Sequence, residues 1–398
     1  MSWEVKPLGD VCPIVSRRPA HFAGVRPYYS TGEVGTEGEL GTPQFVDFKN
    51  KPSRAGWMPV IGDVGFARMK GTQKVVLVDD QLEGALFSTG FCFLEPSAAV
   101  HPRFLFYYCT SSSFQEMKDS IAGDGIMGGA GNTEVSRISF AFPSLKDQAQ
   151  IVSKLDAAVE ALAEAQGNTE RNLANADGLF SAYLDAAFKE GASKWAWSSI
   201  GDVCDVLNGF AFKSGDAITS SGTQVVRIGN LYRNTLDLSR SPVFYPDSFA
   251  TEYQNYLLKE GDIVMSLTGT VGKTDYGYSV RIPPSSGTLL MNQRLMKIAP
   301  KDEAILNRAF LLYYLLSPSF LTELYKTSNG TRQANLSSRT IQELQVPVPP
   351  LQEQLRVAAN LEVIQTQSKQ LETTYQQKLT ELAGLKKAVL GAAFRGEL

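Results

Sequence analysis

Residues 143–148 read Pro-Ser-Leu-Lys-Asp-Gln, and residues 349–354 read Pro-Pro-Leu-Gln-Glu-Gln, 206 positions later. Pro, Gly and Ser are frequent before each stretch and nearly vanish after it. Proline interrupts an extended chain but is tolerated in the first turn of a helix. The two stretches therefore predict that two long helices start at equivalent places in a duplicated chain.

The duplication relates residues 3–190 to residues 195–396. The offset of 206 holds across the C-terminal halves of both copies. Near their starts, the Gly-Asp-Val-Cys of residues 9–12 returns at 201–204, which is an offset of only 192. The second copy has therefore gained fourteen residues of loop.

Composition restricts the class of protein. With 398 residues, 43% of them hydrophobic, the chain is long enough for two or three domains with cores of their own. The four cysteines form no C-x-x-C pair and there are only two histidines, so we expect buried reduced thiols and neither a metal site nor a histidine-activated nucleophile. Since no leader or bilayer-spanning apolar run is evident, we expect a cytoplasmic protein with no membrane partner.

The charge pattern limits how the chain can bind nucleic acid. Its net charge is −3, and no segment is polybasic. Affinity for nucleic acid would therefore have to come from local patches or from a basic second subunit.

Each copy consists of a β-rich part followed by one long helix, which predicts an α+β protein. Short β-branched runs at 74–78, 223–228 and 262–265 are typical of strands, and 104–109 and 309–316 are typical of short buried helices. The predicted segments are 1–143 for the first β-rich domain, 144–190 for the first long helix, 191–346 for the second β-rich domain and 347–398 for the second long helix.

The long helices carry apolar and small residues at alternating steps of three and four, which indicates a heptad seam. Small residues dominate the first seam and larger ones the second, so we expect the helices to pair with each other as an antiparallel coiled coil. Gly178 and Gly384 correspond across the repeat and suggest close helix approach or a shared bend. The predicted seam positions are Leu155, Ala158, Leu162, Ala165, Thr169, Asn172, Ala176, Leu179 and Tyr183, and then Leu361, Ile364, Ser368, Leu371, Tyr375, Lys378, Leu382, Leu385 and Val389.

Further sequence segments, together with the two helix starts, resemble those of a known protein family. They are Gly-Asp-Val-Gly-Phe-Ala-Arg-Met-Lys-Gly-Thr at 62–72, Ser-Thr-Gly-Phe at 88–91, Asn-Gly-Phe-Ala-Phe-Lys-Ser at 208–214, Gly-Asp-Ile-Val-Met-Ser-Leu-Thr-Gly-Thr-Val-Gly-Lys at 261–273 and Ala-Phe-Arg-Gly-Glu-Leu at 393–398. By the order and duplication of these phrases, the chain resembles the specificity (S) subunits of type I restriction-modification systems over essentially its whole length. It departs from the family pattern at Ser144, in place of a second proline, and at Asp147, in place of glutamate.

The resemblance implies a role in phage defence and DNA methylation. It implies two target-recognition domains, each reading one half of a bipartite, asymmetric sequence in double-stranded DNA. The long helices would act as a spacer and as the docking surface for two modification subunits. In that family the S subunit performs no chemistry, so no cofactor is expected in this chain; S-adenosylmethionine, ATP and Mg would belong to the modification (methyltransferase) and restriction (translocase and nuclease) subunits.

Two motifs resemble nucleotide-binding loops. Residues 123–128 satisfy G-x-G-x-x-G, but a helix is expected before them and a strand at 137–140 after them, whereas a phosphate site needs the reverse order. A glycine-rich loop close to DNA and a flexible connector are the other interpretations of this stretch. Residues 272–274, Gly-Lys-Thr, resemble the end of a P-loop, yet Leu267 stands where that motif requires glycine.

Sequence reading in a groove uses Arg or Lys for guanine and Asn or Gln for adenine, while Ser, Thr and Lys hold phosphates. Loops with these mixtures are the candidate DNA-binding sites. In the first domain the candidates are Arg68, Lys70, Thr72, Lys74, Asn132 and Thr133, and in the second they are Lys213, Arg233, Thr268, Thr270, Lys273, Asn292, Gln293, Arg294, Arg332, Gln333 and Asn335. Four tyrosines could stack on bases, although cores are the commoner place for aromatic residues: Tyr28, Tyr29, Tyr232 and Tyr245.

Three alternative functions stay open. The chain could be a stand-alone DNA-binding regulator without enzymatic partners. It could be a methyltransferase that binds S-adenosylmethionine in the glycine-rich loop, or a coiled-coil adaptor with no role on DNA. The mixed polar loops argue against the adaptor.

Overall fold

The computed structural model of the chain describes residues 3–123, 128–284, 287–327 and 333–398. The chain forms two compact units, residues 1–170 with 376–398 and residues 171–375. Each unit contains the β-rich part of one repeat. Each of the two long helices begins in one unit and ends in the other.

The elements of the first repeat are numbered along the chain. Its strands are β1 (Glu4–Pro7), β2 (Ile14–Val15), β3 (Val25–Tyr29), β4 (Gln44–Asp47), β5 (Ala55–Trp57), β6 (Val64–Ala67), β7 (Val75–Leu77), β8 (Leu86–Ser88), β9 (Phe91–Leu94) and β10 (Ser139–Phe142). Its helices are α1 (Leu8–Val11), α2 (Pro102–Thr110), α3 (Ser112–Ile121), α4 (Asn132–Ser136) and the long α5 (Leu145–Gly191).

The second repeat follows the same plan with added short elements. Its strands are β11 (Trp197–Ser199), β12 (Cys204–Asn208), β13 (Thr223–Val226), β14 (Leu231–Tyr232), β15 (Thr235–Leu236), β16 (Phe244–Tyr245), β17 (Leu257–Leu258), β18 (Ile263–Ser266), β19 (Thr268–Thr270), β20 (Ser279–Arg281), β21 (Thr288–Met291), β22 (Leu295–Pro300), β23 (Gln333–Asn335) and β24 (Gln345–Pro347). Its helices are α6 (Ile200–Val203), α7 (Ser248–Glu252), α8 (Arg308–Leu316), α9 (Pro318–Lys326), α10 (Ser338–Glu343) and the long α11 (Leu351–Phe394).

Each repeat builds the same two four-stranded sheets. The strand orders are β2-β9-β6-β7 and β4-β3-β8-β5 in the first repeat, and β12-β22-β18-β20 and β16-β13-β21-β17 in the second. The parallel pairing of β3 with β8 recurs as that of β13 with β21. The duplication of sequence is therefore a duplication of fold, and the predicted α+β architecture of two tandem pseudo-symmetric β-rich domains is confirmed.

The central strands β6 and β18 are buried along their whole length. Such strands read as continuous apolar runs because both faces of the sheet are covered. Phe66 of β6 packs in a core with Phe104 of α2, whereas the next residue, Ala67, packs in a second core with Phe87 of β8. The predicted strands at 74–78, 223–228 and 262–265 are β7, β13 and β18, and the predicted buried helices are α2 and α8.

A buried glutamine fixes the start of each long helix. Gln148 is fully buried; its Oε1 accepts the backbone N–H of His101 (2.7 Å), and its Nε2 donates to the carbonyls of Ala99 (2.9 Å) and Pro143 (2.8 Å). The side chain thus joins three backbone groups, of which two lie in the loop before α2. A buried amide is stable only when its polar atoms are satisfied in this way.

The second repeat reproduces this arrangement. Gln354 is fully buried, accepts the N–H of Asn307 (2.7 Å) and donates to the carbonyls of Ile305 (2.8 Å) and Pro349 (2.7 Å). The offset of 206 that was found in the sequence is therefore conserved at the level of single hydrogen bonds.

The two departures from the family pattern at the start of α5 interact with each other. The Ser144 hydroxyl donates to Asp147 Oδ2 (2.8 Å) and accepts the Asp147 N–H (3.3 Å). A serine in this position caps an N–H group that the helix leaves without a partner. The substitution of proline by Ser144 is therefore compensated by a side-chain cap.

The long helices pack in opposite directions within each unit. In the first unit the start of α5, with Leu155, shares a core with the end of α11, with Leu390. In the second unit the end of α5, with Phe188, shares a core with the start of α11, with Leu361. This is the predicted antiparallel pairing. Among the described residues, no helix is both long enough and apolar enough to cross a membrane.

The seam between the long helices differs in part from the predicted one. Asn172, Tyr183, Leu371, Lys378 and Leu385 are exposed. The residues that follow them along the chain are less exposed, and these are Leu173, Leu184, Glu372, Leu379 and Lys386. A strict heptad drifts by roughly 20° per seven residues from a straight helix of 3.6 residues per turn. The predicted register therefore holds at Leu155, Thr169 and Ser368 but not along the whole length.

The interpretation of the two equivalent glycines as close-approach positions is wrong. A Cβ atom added at Gly178 or Gly384 would meet no other atom within 4 Å. Both glycines lie on exposed helix surface, where no neighbour requires them. Glycine at these positions adds conformational freedom to the unfolded chain. The other interpretation, a shared bend, stays a prediction.

Gly178→Ala and Gly384→Ala should therefore each raise the free energy of unfolding by about 1 kcal/mol, because alanine is the better helix former. Chemical denaturation of each single variant measures the effect. A decrease in stability in either variant would show that the glycine has a packing role.

Gln148→Ala should lower the free energy of unfolding by about 3 kcal/mol, because it leaves the His101 N–H and two carbonyls without their partner. The matched control is Gln150→Ala, which removes the same side chain from an exposed position of the same helix. Denaturant unfolding should place the control within about 0.5 kcal/mol of the parent chain. Equal stabilities of the two variants would contradict the role of Gln148.

Candidate nucleic-acid interface

In both repeats, the segment that follows the central strand (β6 or β18) pairs with the segment that precedes the last short helix (α4 or α10). In the first repeat Met69 forms a β-bridge with Gly129, and the Ala130 N–H donates to the carbonyl of Arg68 (2.9 Å). In the second repeat β19 pairs with β23, so that Thr268 lies opposite Asn335. Segments about sixty residues apart in sequence are thus joined at the same place in each fold.

Arg68 holds this junction together in the first repeat. Its Nε donates to the carbonyl of Phe91 (3.2 Å), and its Nη1 donates to the carbonyl of Ala130 (3.1 Å). Two of its donors are therefore used inside the protein. Arg68 is predicted as a DNA contact, and that stays a prediction; in the structure its side chain positions the segment from which Asn132 and Thr133 follow.

The other first-domain candidates lie around this junction. Lys70 is exposed, and Thr72 and Lys74 are half-buried, on the turn between β6 and β7. Asn132 and Thr133 are exposed in the first turn of α4. The pairing of residues 68–70 with 128–130 brings these two groups of candidates to one surface.

Lys118 is a residue of this site that sequence reasoning missed. Its side chain is fully buried, and its Nζ donates to the carbonyls of Thr72 (2.7 Å) and Met69 (3.3 Å) and pairs with Asp119 (3.1 Å). Burial lowers the pKa of the Lys118 amino group, although Asp119 acts in the opposite direction. The sequence feature that could have identified it is a lysine on the same face of α3 as the buried Phe114.

Lys118 and Asp119 together hold the turn between β6 and β7 by hydrogen bonds to its backbone. Asp119 Oδ1 accepts the N–H of Gly71 (3.1 Å), in addition to its ion pair with Lys118. The equivalent position in the second repeat is Leu324, which is buried in an apolar core. The polar support of the turn is therefore particular to the first repeat.

In the second repeat the turn after β19 is held by a carboxylate. Thr270 donates from its backbone N–H and from its hydroxyl to Asp275 (both 2.7 Å). These hydrogen bonds lower the pKa of the Asp275 carboxyl group. Lys273 lies exposed within the turn, whereas Thr268 is buried, and its hydroxyl has no hydrogen-bond partner within the described ranges.

The Asn292-Gln293-Arg294 turn lies beside this pair of strands. The Leu267 N–H donates to the carbonyl of Arg294 (2.9 Å), so the turn between β21 and β22 touches the start of β19. Asn292 Oδ1 accepts the Arg294 N–H (3.3 Å), while the side chains of Gln293 and Arg294 are exposed. The turn thus presents an exposed amide and an exposed guanidinium beside Leu267, the residue that precedes β19.

The remaining candidates lie elsewhere or outside the described residues. Arg233 is at the tip of the β14–β15 hairpin, and the carbonyl of Lys213 accepts the Tyr245 hydroxyl (3.1 Å) at the edge of the other sheet. Asn335 is exposed in β23. Arg332 is outside the described residues, and Gln333 is described only by its backbone. Residues 124–127 of the glycine-rich motif also lie outside them.

The context of the glycine-rich motif was predicted only in part. The helix before it is α3, as expected, but the short helix α4 precedes the strand that begins at Ser139. Of the four tyrosines, Tyr28, Tyr29 and Tyr245 are buried as expected, whereas Tyr232 is exposed.

A family model described as the type I restriction modification DNA specificity domain matches residues 1–170 and again residues 192–381. The two matches correspond to the two structural repeats and cover most of the chain. The chain belongs to this family.

Relatives of the chain carry the same description. It is 24% identical over 383 residues, 91% of this chain and 86% of the relative, to the type I restriction enzyme MjaVIII specificity subunit of Methanocaldococcus jannaschii. It is 30% identical over 177 residues to the EcoAI specificity subunit and 27% identical over 205 residues to the EcoBI specificity subunit, both of Escherichia coli. These two alignments take in 44% and 51% of this chain and only 29% and 39% of the relatives.

Solved structures agree with the fold. A structure described as the HsdS subunit from Thermoanaerobacter tengcongensis has 25% sequence identity and a TM-score of 0.64, covering 100% of this chain and 97% of that one. A chain from a study of the assembly of the type I R-M system has 24% identity and a TM-score of 0.81, with coverage of 100% and 98%.

Lys118→Met should release the turn between β6 and β7, because it removes both carbonyl contacts and the partner of Asp119. Hydrogen exchange of the backbone amides in residues 69–74 should then become faster by roughly tenfold, as expected for the loss of one or two buried hydrogen bonds. Glu116→Met, at an exposed position of α3, is the control and should leave the exchange unchanged. Unchanged exchange in both variants would mean that Lys118 does not support the turn.

Proposed function

We propose that this chain is the DNA-specificity subunit of a type I restriction-modification complex and that each repeat reads one half of a bipartite target. The observation that carries the proposal is that one junction of polar loops is built twice, at the same place in the same fold, with different side chains. A shared scaffold with different loops is the arrangement expected when two related domains read different sequences.

The two junctions offer different donors and acceptors, so the two half-sites should differ. The first presents Lys70, Lys74 and Asn132, and the second presents Lys273, Gln293 and Arg294. Lysine and arginine favour guanine and asparagine or glutamine favours adenine in the major groove. An asymmetric target follows from this difference.

The partners belong to the same proposal. The helix pair α5 and α11 would dock two modification subunits, with restriction subunits completing the complex in the cytoplasm. S-adenosylmethionine would bind to the modification subunits, and ATP and Mg would act on the restriction subunits. This chain would recognise DNA and position the other subunits without performing chemistry itself.

The first experiment is to express the chain with its neighbouring methyltransferase subunit and to sequence host DNA for modified bases. A split, asymmetric methylated motif that disappears without this chain is the expected result. An unchanged pattern, in a complex shown to assemble, would contradict the proposal and favour a stand-alone regulator.

Gln293→Ala combined with Arg294→Ala should relax only the half-site that the second repeat reads. The loss of a bidentate base contact reduces discrimination by about 1–3 kcal/mol at that position. The control combines Gln254→Ala with Arg281→Ala, which removes the same side-chain types from exposed positions of the second repeat outside the junction and the long helices. The methylated motif is the measurement, and a simultaneous change in both half-sites would contradict modular reading.

A further inference from the structure

Each repeat has a hairpin at the same point of its fold. The first hairpin, residues 30–43, connects β3 to β4 and contains a β-bridge between Val34 and Leu40. The second hairpin, residues 227–243, connects β13 to β16 and contains the strand pair β14–β15. The two hairpins are equivalent in topology, so their side chains can be compared directly.

The hairpins have opposite charge. The first contains Glu33, Glu37 and Glu39 and no basic residue. Glu33 accepts the Ser30 N–H within the same hairpin (2.8 Å), Glu37 pairs with Lys386 of α11, and Glu39 is exposed. The second contains three arginines and a single acidic residue, which are Arg227, Arg233, Arg240 and Asp237.

The second hairpin presents an exposed aromatic and cationic surface. The Tyr232 ring is 50% exposed, and the guanidinium carbons of Arg233 and Arg240 lie 5.5 and 5.0 Å from its centroid. Asp237 accepts from the hydroxyl and the backbone N–H of Ser239 (2.6 and 3.0 Å), and these bonds, with a smaller contribution from the charge of Arg240, lower the pKa of its carboxyl group. In the part of the chain that the structure describes, no ion pair includes Arg233 or Arg240.

The backbone of the second hairpin is held in an uncommon conformation. Arg233 and Asn234 have φ values of 49° and 58°, as a two-residue turn between paired strands requires, although glycine is the usual residue at such angles. Asn234 Oδ1 accepts the Ser279 N–H (3.0 Å), and Asn230 Nδ2 donates to the carbonyls of Asp237 (2.8 Å) and Arg240 (3.0 Å). The arginines therefore project from a rigid support, and strain of this kind often accompanies a functional site.

We propose that Arg233 and Arg240 of the second hairpin bind the phosphodiester backbone of double-stranded DNA, and that the acidic first hairpin makes no such contact. The inference rests on the proposed function and adds that the two repeats hold DNA unequally. Phosphate contacts carry no sequence information. The second hairpin should therefore strengthen binding and its dependence on salt without altering the sequence that is read.

The test uses the complex of this chain with its modification subunits and a duplex that contains the methylated motif. The variant combines Arg233→Gly with Arg240→Gln, since glycine accepts the left-handed backbone at position 233. Affinity should fall on the order of tenfold at 0.15 M salt, and the slope of log K against log salt should become less steep by about 2, because each phosphate contact contributes about 0.9. The methylated motif and the unfolding temperature should not change.

Two further variants test whether the effect on the salt dependence comes from the charges of the second hairpin. Arg233→Lys with Arg240→Lys keeps both charges and should retain the salt slope. Lys6→Gln with Lys259→Gln removes two exposed charges outside both hairpins and both long helices, and it should behave as the parent chain. A parent-like slope in the glycine and glutamine variant would overturn the inference alone, whereas a parent complex without sequence-specific binding would overturn the proposed function as well.

Discussion

The fold depends on a buried glutamine side chain that occurs at the equivalent position of both repeats. Gln148 and Gln354 each satisfy a backbone N–H and two carbonyls where a β-rich domain meets a long helix. An apolar residue of the same size would leave three buried backbone groups unpaired, which would destabilise the junction between domain and helix. The direction in which each helix leaves its domain is set by these bonds.

The two repeats share this junction and their sheets, and they differ in the turns that the sheets carry. The sheets keep one strand order, whereas the turn after the central strand is supported by Lys118 in the first repeat and by Asp275 in the second. In each repeat a different side chain forms hydrogen bonds with the backbone of the turn. Divergence of this kind changes what a surface presents without changing where the surface lies.

The sequence predicted the repeats, the two long helices and their antiparallel pairing, because these depend on periodicity and spacing that a single chain displays. It did not predict that Asn172 faces outward, since a heptad pattern cannot show how far a helix departs from 3.5 residues per turn. Nor did it find Lys118 or the internal bonds of Arg68, because these contacts join residues that only the folded sheet brings together. The role of the candidate residues on DNA stays a prediction.

The division of each long helix between two units has a consequence for synthesis on the ribosome. Leu390 and Ala393 belong to the hydrophobic core of the unit that contains the first β-rich domain. That core lacks these side chains until α11, which follows the second β-rich domain, has been translated. The first β-rich domain is therefore completed only after the second has been made, and the nascent chain keeps an apolar surface uncovered for α11 in the meantime.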